Sequence, residues 1–249
     1  MKYKTKNFNL DNVCVFLPIR KGSKRIKNKN TKSLPNLKLG ITELKINQLN
    51  KLRIAYKKIY KKKLEIIIST DCIKIYNFSK KFDWLKVIKR KKNLSTDDSL
   101  SKLIEYVPKI CLSKYILWTH VTSPKFNHND YLEFIDKFFK IRRNRPSSRS
   151  AFSADIIQKF VLNYKDKWVS HDYKRKKWPR TQDLKPLYVI NSAAFLSLRD
   201  VYLKEKDRLC KKPIPIISRR NSSFDIDNLE DFMEIKNELN IKKFRSKKN

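Results

Sequence analysis

Four short apolar runs lie in the first half of the chain: 13–17 (VCVFL), 64–69 (LEIIIS), 84–88 (WLKVI) and 115–119 (YILWT). Each is too short for a helix and carries the β-branched or aromatic residues that suit a buried strand. Between them lie segments of helical spacing. Over 41–62, Leu44, Gln48, Leu49, Leu52, Ala55, Tyr56 and Ile59 recur on one face. Segment 73–82 reads as a short helix, and Ser95-Thr96-Asp97-Asp98 is an entry signal for another over 99–107. Over 129–141, Tyr131, Phe134, Ile135, Phe138 and Phe139 form a broad apolar face. Strand–helix alternation of this kind implies α/β architecture, a mostly parallel sheet flanked by helices, because parallel neighbours need a crossover connection. Such sheets bind ligands at the carboxyl ends of their strands. The segments 20–30, Thr70-Asp71 and 120–124 are therefore expected on one rim.

The second half changes character. Segment 142–149 reads as a basic connection. Segments 151–168 and 178–187 read as irregular strands and loops rich in aromatics, 188–198 and 214–218 as strands. Segment 229–239 reads as a helix capped by Asn228, with Glu230 and Asp231 in its first turn, where the helix dipole favours acids. A basic tail, 241–249, is expected to fray. The whole is read as one domain, 11–240, with 151–187 as an excursion from it.

Net charge is +36, from 60 basic and 24 acidic residues. Such a balance raises nucleic-acid binding as a rival function. The 45 lysines against 15 arginines are spread over the whole chain, and asparagine and isoleucine abound while glycine occurs twice. That profile is the mark of an AT-rich coding sequence, so no specific nucleic-acid partner is expected. No run of about 18 apolar residues is present to span a membrane. The first twelve residues lack the apolar centre of a secretory signal. Cys14, Cys72, Cys111 and Cys210 form no CxxC pair and are read as reduced thiols of a cytoplasmic protein.

Two constellations carry chemistry. The first strand runs through Leu17 and Pro18 into a loop bearing Arg20, Gly22, Ser23, Lys24, Arg25, Lys29 and Asn30. Backbone amides, a hydroxyl and cations at a strand end can hold phosphates. A lysine-rich surface turn accounts for the same residues, since the longer phosphate-loop motif is absent. The second constellation is 224–231 (FDIDNLED). In extended chain Asp225 and Asp227 share a face and offer two hard oxygen donors, which suit Mg²⁺. A solvated turn with Asp227 helping to cap the following helix accounts for them equally.

The loop RKGSKRIKNKN resembles the R-x-G-S-K-x-x-x-x-K-N signature of the acylneuraminate cytidylyltransferases, which make CMP-sialic acid and related CMP-sugars. Further landmarks follow in the family's order. Ile68–Asp71 resembles V-S-T-D, 94–98 resembles the segment near the cytosine, and Thr122-Ser123-Pro124 resembles Q-P-T-S-P. Gln182-Asp183-Leu184 with Tyr188 and Asn191 resembles R-Q-D-L-P…Y-R-x-N-G-A, and 225–231 resembles D-I-D-T-x-E-D. The resemblance spans about 13–238. It implies a Rossmann-like nucleotidyltransferase fold with a projecting dimerisation segment at 151–187, a homodimer, and CTP and a nonulosonic acid as substrates. Arg20 and Lys29 would grip the triphosphate, with Ser23, Lys24 and Asn30 in the same loop. The backbone at Leu17 and Pro18 would meet the cytosine with Thr96, and Asp225 and Asp227 would hold Mg²⁺. The sugar side would involve His120, Thr122, Ser123, Arg180, Gln182 and Asn191. Here the chain departs from the pattern. His120 and Val121 replace Gln and Pro, Thr181 falls where an Arg stands with Arg180 one place early, Val189 replaces an Arg and Ser192 a Gly. A lost arginine removes a bidentate carboxylate partner, so the acceptor need not be N-acetylneuraminate itself; a legionaminate, pseudaminate, ketodeoxyoctonate or other nonulosonate is the alternative. An inactive family member acting as a binding subunit is the other reading of these substitutions.

Overall fold

The computed structural model describes residues 12–246. The N-terminal residues 1–11 and the last three residues of the basic tail lie outside the described part. Among the described residues seven strands form one sheet in the order β3-β2-β1-β4-β6-β5-β7. The strands are β1 (Val13–Ile19), β2 (Glu65–Thr70), β3 (Leu85–Lys89), β4 (Tyr115–Thr119), β5 (Ser150–Ile157), β6 (Leu187–Leu198) and β7 (Ile214–Ile217). Only β6 runs against the others: it is antiparallel to β4 and β5, while the β1–β2, β1–β4, β2–β3 and β5–β7 pairs are parallel. The helices are α1 (Gly40–Tyr60), α2 (Ile73–Ser79), α3 (Leu100–Ile110), α4 (His128–Asn144), α5 (Arg199–Lys204) and α6 (Leu229–Ser246).

Every expected strand and helix of the first half is present, with ends displaced by a few residues. In the second half one reading is corrected and one unread element appears. The basic connection at 142–149 starts in the last residues of α4, which ends at Asn144, and 145–149 link that helix to β5 as expected. The short helix α5 follows β6 directly. The helix expected to end at 239 continues to Ser246, so most of the basic tail is helical and not frayed coil. Its entry is as expected. The Asn228 side chain accepts from the Asp231 amide at 2.9 Å, and the Asp231 carboxylate accepts from the Asn228 amide at 2.9 Å. This reciprocal pair satisfies two donors that a helix start otherwise leaves open.

The core follows from strand alternation. Val13, Val15 and Leu17 face α1 and α4, packing with Leu49, Leu52, Tyr56, Ile135 and Phe138. Cys14 and Phe16 face the other side, with Leu103 and Val107 of α3 and Trp118 of β4. Both faces of β1 are thus buried, which is why its sequence is continuously apolar. All four cysteines are buried free thiols. The chain winds outward from β1 to β3, then returns to place β4 on the other side of β1. The crevice between β1 and β4 is the point where strand order reverses, and it is the place where a sheet of this kind offers a ligand site.

Candidate active site

A cleft of about 580 Å³ opens at the carboxyl ends of β1 and β4. One wall is the basic loop after β1: Arg20, Ser23, Lys24, Arg25, Lys29 and Asn30 all line it. The opposite wall comes from Ser95, Thr96 and the start of α3. The floor is Pro18 with Trp118, His120, Val121 and Thr122.

The loop is held by its own Asn30 and by Asp71 at the end of β2. Asn30 Nδ2 donates to the Arg20 carbonyl at 3.0 Å, closing the loop on itself. Asp71, at the end of β2, accepts from the Lys21 amide at 2.8 Å. The Asp71 carboxylate also lies 3.7 Å from the buried Arg90 guanidinium, whose Nε donates to Ser95 at 3.0 Å. Thr70-Asp71 therefore acts as a buckle between the basic loop and the opposite wall. Arg90 itself lines the cleft, and burial depresses its pKa against the opposing charge of Asp71. Arg90 is hidden in the sequence because it lies inside the basic run 89–92; its place just beyond a strand end is the available signal.

Lys29 donates from Nζ to the Ile226 carbonyl at 2.5 Å, which draws the 224–228 segment against the loop. Burial lowers the Lys29 pKa, and the charges of Asp225 and Asp227 counter it. The Ile226 amide in turn donates to the Thr122 carbonyl at 2.8 Å. Ile226 is fully buried, so its two neighbours project the other way. Asp227 lines the cleft and pairs with Arg25 at 2.7 Å. Asp225 is half-buried and its Oδ1 has no hydrogen-bond partner. Burial raises the Asp225 pKa; a bond with Thr122 opposes this, and the neighbouring Asp227 charge adds to it. Two more buried polar atoms of the cleft wall, Ser23 Oγ and Asn30 Oδ1, are also unsatisfied. Each of these buried polar atoms calls for a partner, and in a cleft a water, an ion or a ligand can supply it.

The site assignments divide. Arg20, Lys29, Pro18, Ser23, Lys24, Asn30, Thr96, His120, Thr122 and Asp227 are brought to one cleft, and Asp225 stands beside it. Five others are not. The Leu17 side chain is fully buried in the α1–α4 face of the core, so it does not line the cleft; the contact expected with the cytosine is through its backbone. Ser123 is fully buried below the cleft floor. Asn191 is occupied in the sheet, accepting from Ser153 Oγ at 2.6 Å and donating to Ser218 Oγ at 2.8 Å, so that it staples β5, β6 and β7. Arg180 and Gln182 lie in an exposed 3-10 turn of the excursion. Arg180 pairs there with Asp183 at 3.0 Å, and neither residue reaches the cleft of its own chain. Ser192, standing where the resembled pattern has glycine, adopts a left-handed backbone at φ 60°.

A second residue unseen in the sequence is Lys45. Its position in lysine-rich α1 reads as solvent-facing, yet it is fully buried. Its Nζ bonds the Ser123 carbonyl at 2.9 Å, the Phe126 carbonyl at 3.0 Å and the Tyr131 hydroxyl at 3.0 Å. It fixes the turn that carries Thr122, and burial pulls its pKa down to about 7.

The excursion between β5 and β6 holds a ring cluster. Trp168 stacks on Tyr173 with centroids 5.5 Å apart, and Phe160 meets Trp178 edge-on at 5.2 Å. Its base leaves Ile156, Tyr188, Val189 and Ile190 exposed. Among the described residues no helix is long and apolar enough to cross a membrane.

Comparison with known proteins bears on this geometry. The model of the family described as "Cytidylyltransferase" matches residues 14–242. Over 56 residues the chain is 36% identical to the N-acylneuraminate cytidylyltransferases of Streptococcus agalactiae serotypes III, Ia and V. That match spans 22% of this chain and only 14% of the length of those relatives. Among solved structures, CMP:2-keto-3-deoxy-manno-octonic acid synthetase complexed with CTP superposes with a TM-score of 0.59 at 13% identity, over 93% of this chain and 99% of that one. The 4-diphosphocytidyl-2C-methyl-D-erythritol synthase of Anaerococcus prevotii gives 0.59 at 13% identity, over 92% and 99%. At such identities these two likenesses speak for the fold alone.

Proposed function

The chain belongs to the cytidylyltransferase family, and from that premise we propose that it transfers CMP from CTP to the anomeric hydroxyl of a sialic-acid-like nonulosonic acid, releasing pyrophosphate, for surface polysaccharide or glycoconjugate synthesis. The observation that carries the proposal is the cleft wall of Arg20, Lys24, Arg25 and Lys29, faced by Arg90, with the unsatisfied Ser23 hydroxyl among them. A wall of cations and one free hydroxyl is suited to a polyphosphate.

In this reading the sugar hydroxyl attacks the α-phosphorus in line and gives up its proton to water. The bond from that phosphorus to the bridging oxygen breaks, and the electron pair leaves with pyrophosphate. Negative charge grows on oxygens already surrounded by Arg20, Lys29 and Arg90. Cations fixed before the reaction stabilise that charge without reorganising. Asp225 and Asp227 would hold Mg²⁺, and the unsatisfied Oδ1 of Asp225 beside a second carboxylate fits that role. When bound, the ion would neutralise phosphate oxygens as a Lewis acid. Asp227 would exchange its pairing with Arg25 for the ion, which frees that arginine for the triphosphate. The exposed apolar residues Ile156, Tyr188, Val189 and Ile190 at the base of the excursion favour a homodimer in which a second copy covers them.

The test is pyrophosphate release from CTP and Mg²⁺ with a panel of N-acetylneuraminate, legionaminate, pseudaminate and ketodeoxyoctonate. Release with at least one of these acids is expected. Release with none of them contradicts the proposal.

A further inference from the structure

His120 stands where the resembled pattern has glutamine, and its surroundings restrict it far more than a glutamine would be. Trp118, two residues earlier in β4, donates from Nε1 to His120 Nε2 at 2.7 Å, just past the strand's end. An indole nitrogen can only donate, so Nε2 must accept, and a neutral ring accepting at Nε2 carries its proton on Nδ1. The ring is boxed by aromatics: Trp118 at 6.2 Å and Phe195 at 6.3 Å between centroids. The Arg208 guanidinium lies 3.9 Å from the Phe195 ring centre and 5.2 Å from that of Trp118. Its Nη1 is buried with no partner. From α1, Lys45 adds a second positive group under the same floor. Burial, then Arg208, then Lys45 push the His120 pKa down to about 3, so an imidazolium has no place here. His120 lines the cleft beside Val121 and Thr122, and no described group accepts from its Nδ1.

We propose that Trp118 is a positioning residue that locks His120 as a neutral Nδ1–H donor, and that this donor, backed by the Arg208 charge, reads a carboxylate oxygen of the acceptor. The inference rests on the reading of this cleft as a sugar-acid site. A glutamine amide can turn to present either oxygen or N–H; the locked imidazole presents only N–H. The acceptor group at this point must therefore be an oxygen that accepts, and an ammonium or a purely donating group is rejected because it would leave Nδ1–H buried and unpaired. The Arg208 charge behind the aromatic wall favours an anion over a neutral carbonyl.

The experiment is imidazole ¹⁵N NMR on the full chain, which has three histidines. The signal lost in His120→Gln identifies His120. The expected result is an Nδ1–H tautomer that stays neutral through the range where histidine normally charges, about pH 5–8. In Trp118→Phe, which keeps the ring and loses the N–H, this signal is expected to change tautomer or begin to titrate. With CTP present, adding N-acetylneuraminate or ketodeoxyoctonate is expected to shift the Nδ1–H signal, and the methyl esters of the same acids are expected to shift it less. An Nε2–H tautomer, protonation within that pH range, or a Trp118→Phe spectrum identical to wild type overturns the lock. An unmoved signal with an acid of the panel that supports pyrophosphate release, or equal shifts from that acid and its ester, overturns the carboxylate readout. Failure of the proposed function appears elsewhere, as absent pyrophosphate release by wild type, and leaves the tautomer result intact.

Discussion

Lys29→Ala is expected to lower kcat/KM for pyrophosphate release by about 10²–10³, the usual loss when one preorganised charge-stabilising group is removed. Lys29 is the cation best placed for this effect. It lines the cleft from the loop side and is bonded through Nζ to the Ile226 carbonyl, so its position is fixed before substrate arrives. The flanking Asp225 and Asp227 hold the amine charged against the burial that depresses its pKa. The structural cost of the substitution is the lesser effect. One charge-assisted hydrogen bond to a backbone carbonyl is lost, worth about 1.5–3 kcal/mol, and Tm should fall by several degrees. Lys29→Arg separates charge from fit: it keeps the cation and is expected to recover part of the rate. A Lys29→Ala enzyme with unchanged kcat/KM removes Lys29 from the site.

The second large effect falls on the fold. Glycine occurs only twice in the chain, and the two positions differ. Gly40, the first residue of α1, has φ 54°, and a Cβ built on it would stand 1.9 Å from the Lys32 carbonyl oxygen. The obstacle is backbone, so no rotamer change can relieve it. Gly40→Ala is expected to destabilise the protein by about 3 kcal/mol or more, from left-handed strain together with overpacking. The damage would reach the site, because the buried Thr42 hydroxyl in the first turn of α1 donates to the Asn30 carbonyl at 2.6 Å. Gly22, in the basic loop, has nothing within 4 Å of such a Cβ, and Gly22→Ala is expected to leave Tm unchanged. Thermal unfolding of the two variants checks the contrast. Equal Tm values would remove the steric argument.

The parts of the fold legible in the sequence were those governed by local physics. A strand buried on both faces, such as β1, is continuously apolar, and a helix with one buried face, such as α4, shows its period. The segment SAFSADII of β5 carried no such mark. It is built from small residues that fit between β6 and β7, so its strand character is set by pairing partners far along the chain. The single reversed strand β6 has the same origin. In the site, the cations of the basic loop were legible because they cluster in sequence. Arg90 and Lys45 were not, since in a chain with 60 basic residues a buried, bonded cation looks like any other. Asn191 illustrates the opposite error: its place in a resembled motif pointed to the sugar, whereas its amide is spent on Ser153 and Ser218.

The most direct test of the central claim is nucleotide selectivity in thermal unfolding of the wild-type protein with Mg²⁺, comparing CTP, UTP, GTP and ATP at equal concentration. A ligand that binds only the native state at 100 times its Kd adds about 2.7 kcal/mol of stability. The account predicts a clear rise in Tm with CTP and a distinctly smaller one with the other three. Equal shifts with all four nucleotides, or none with CTP, would contradict it.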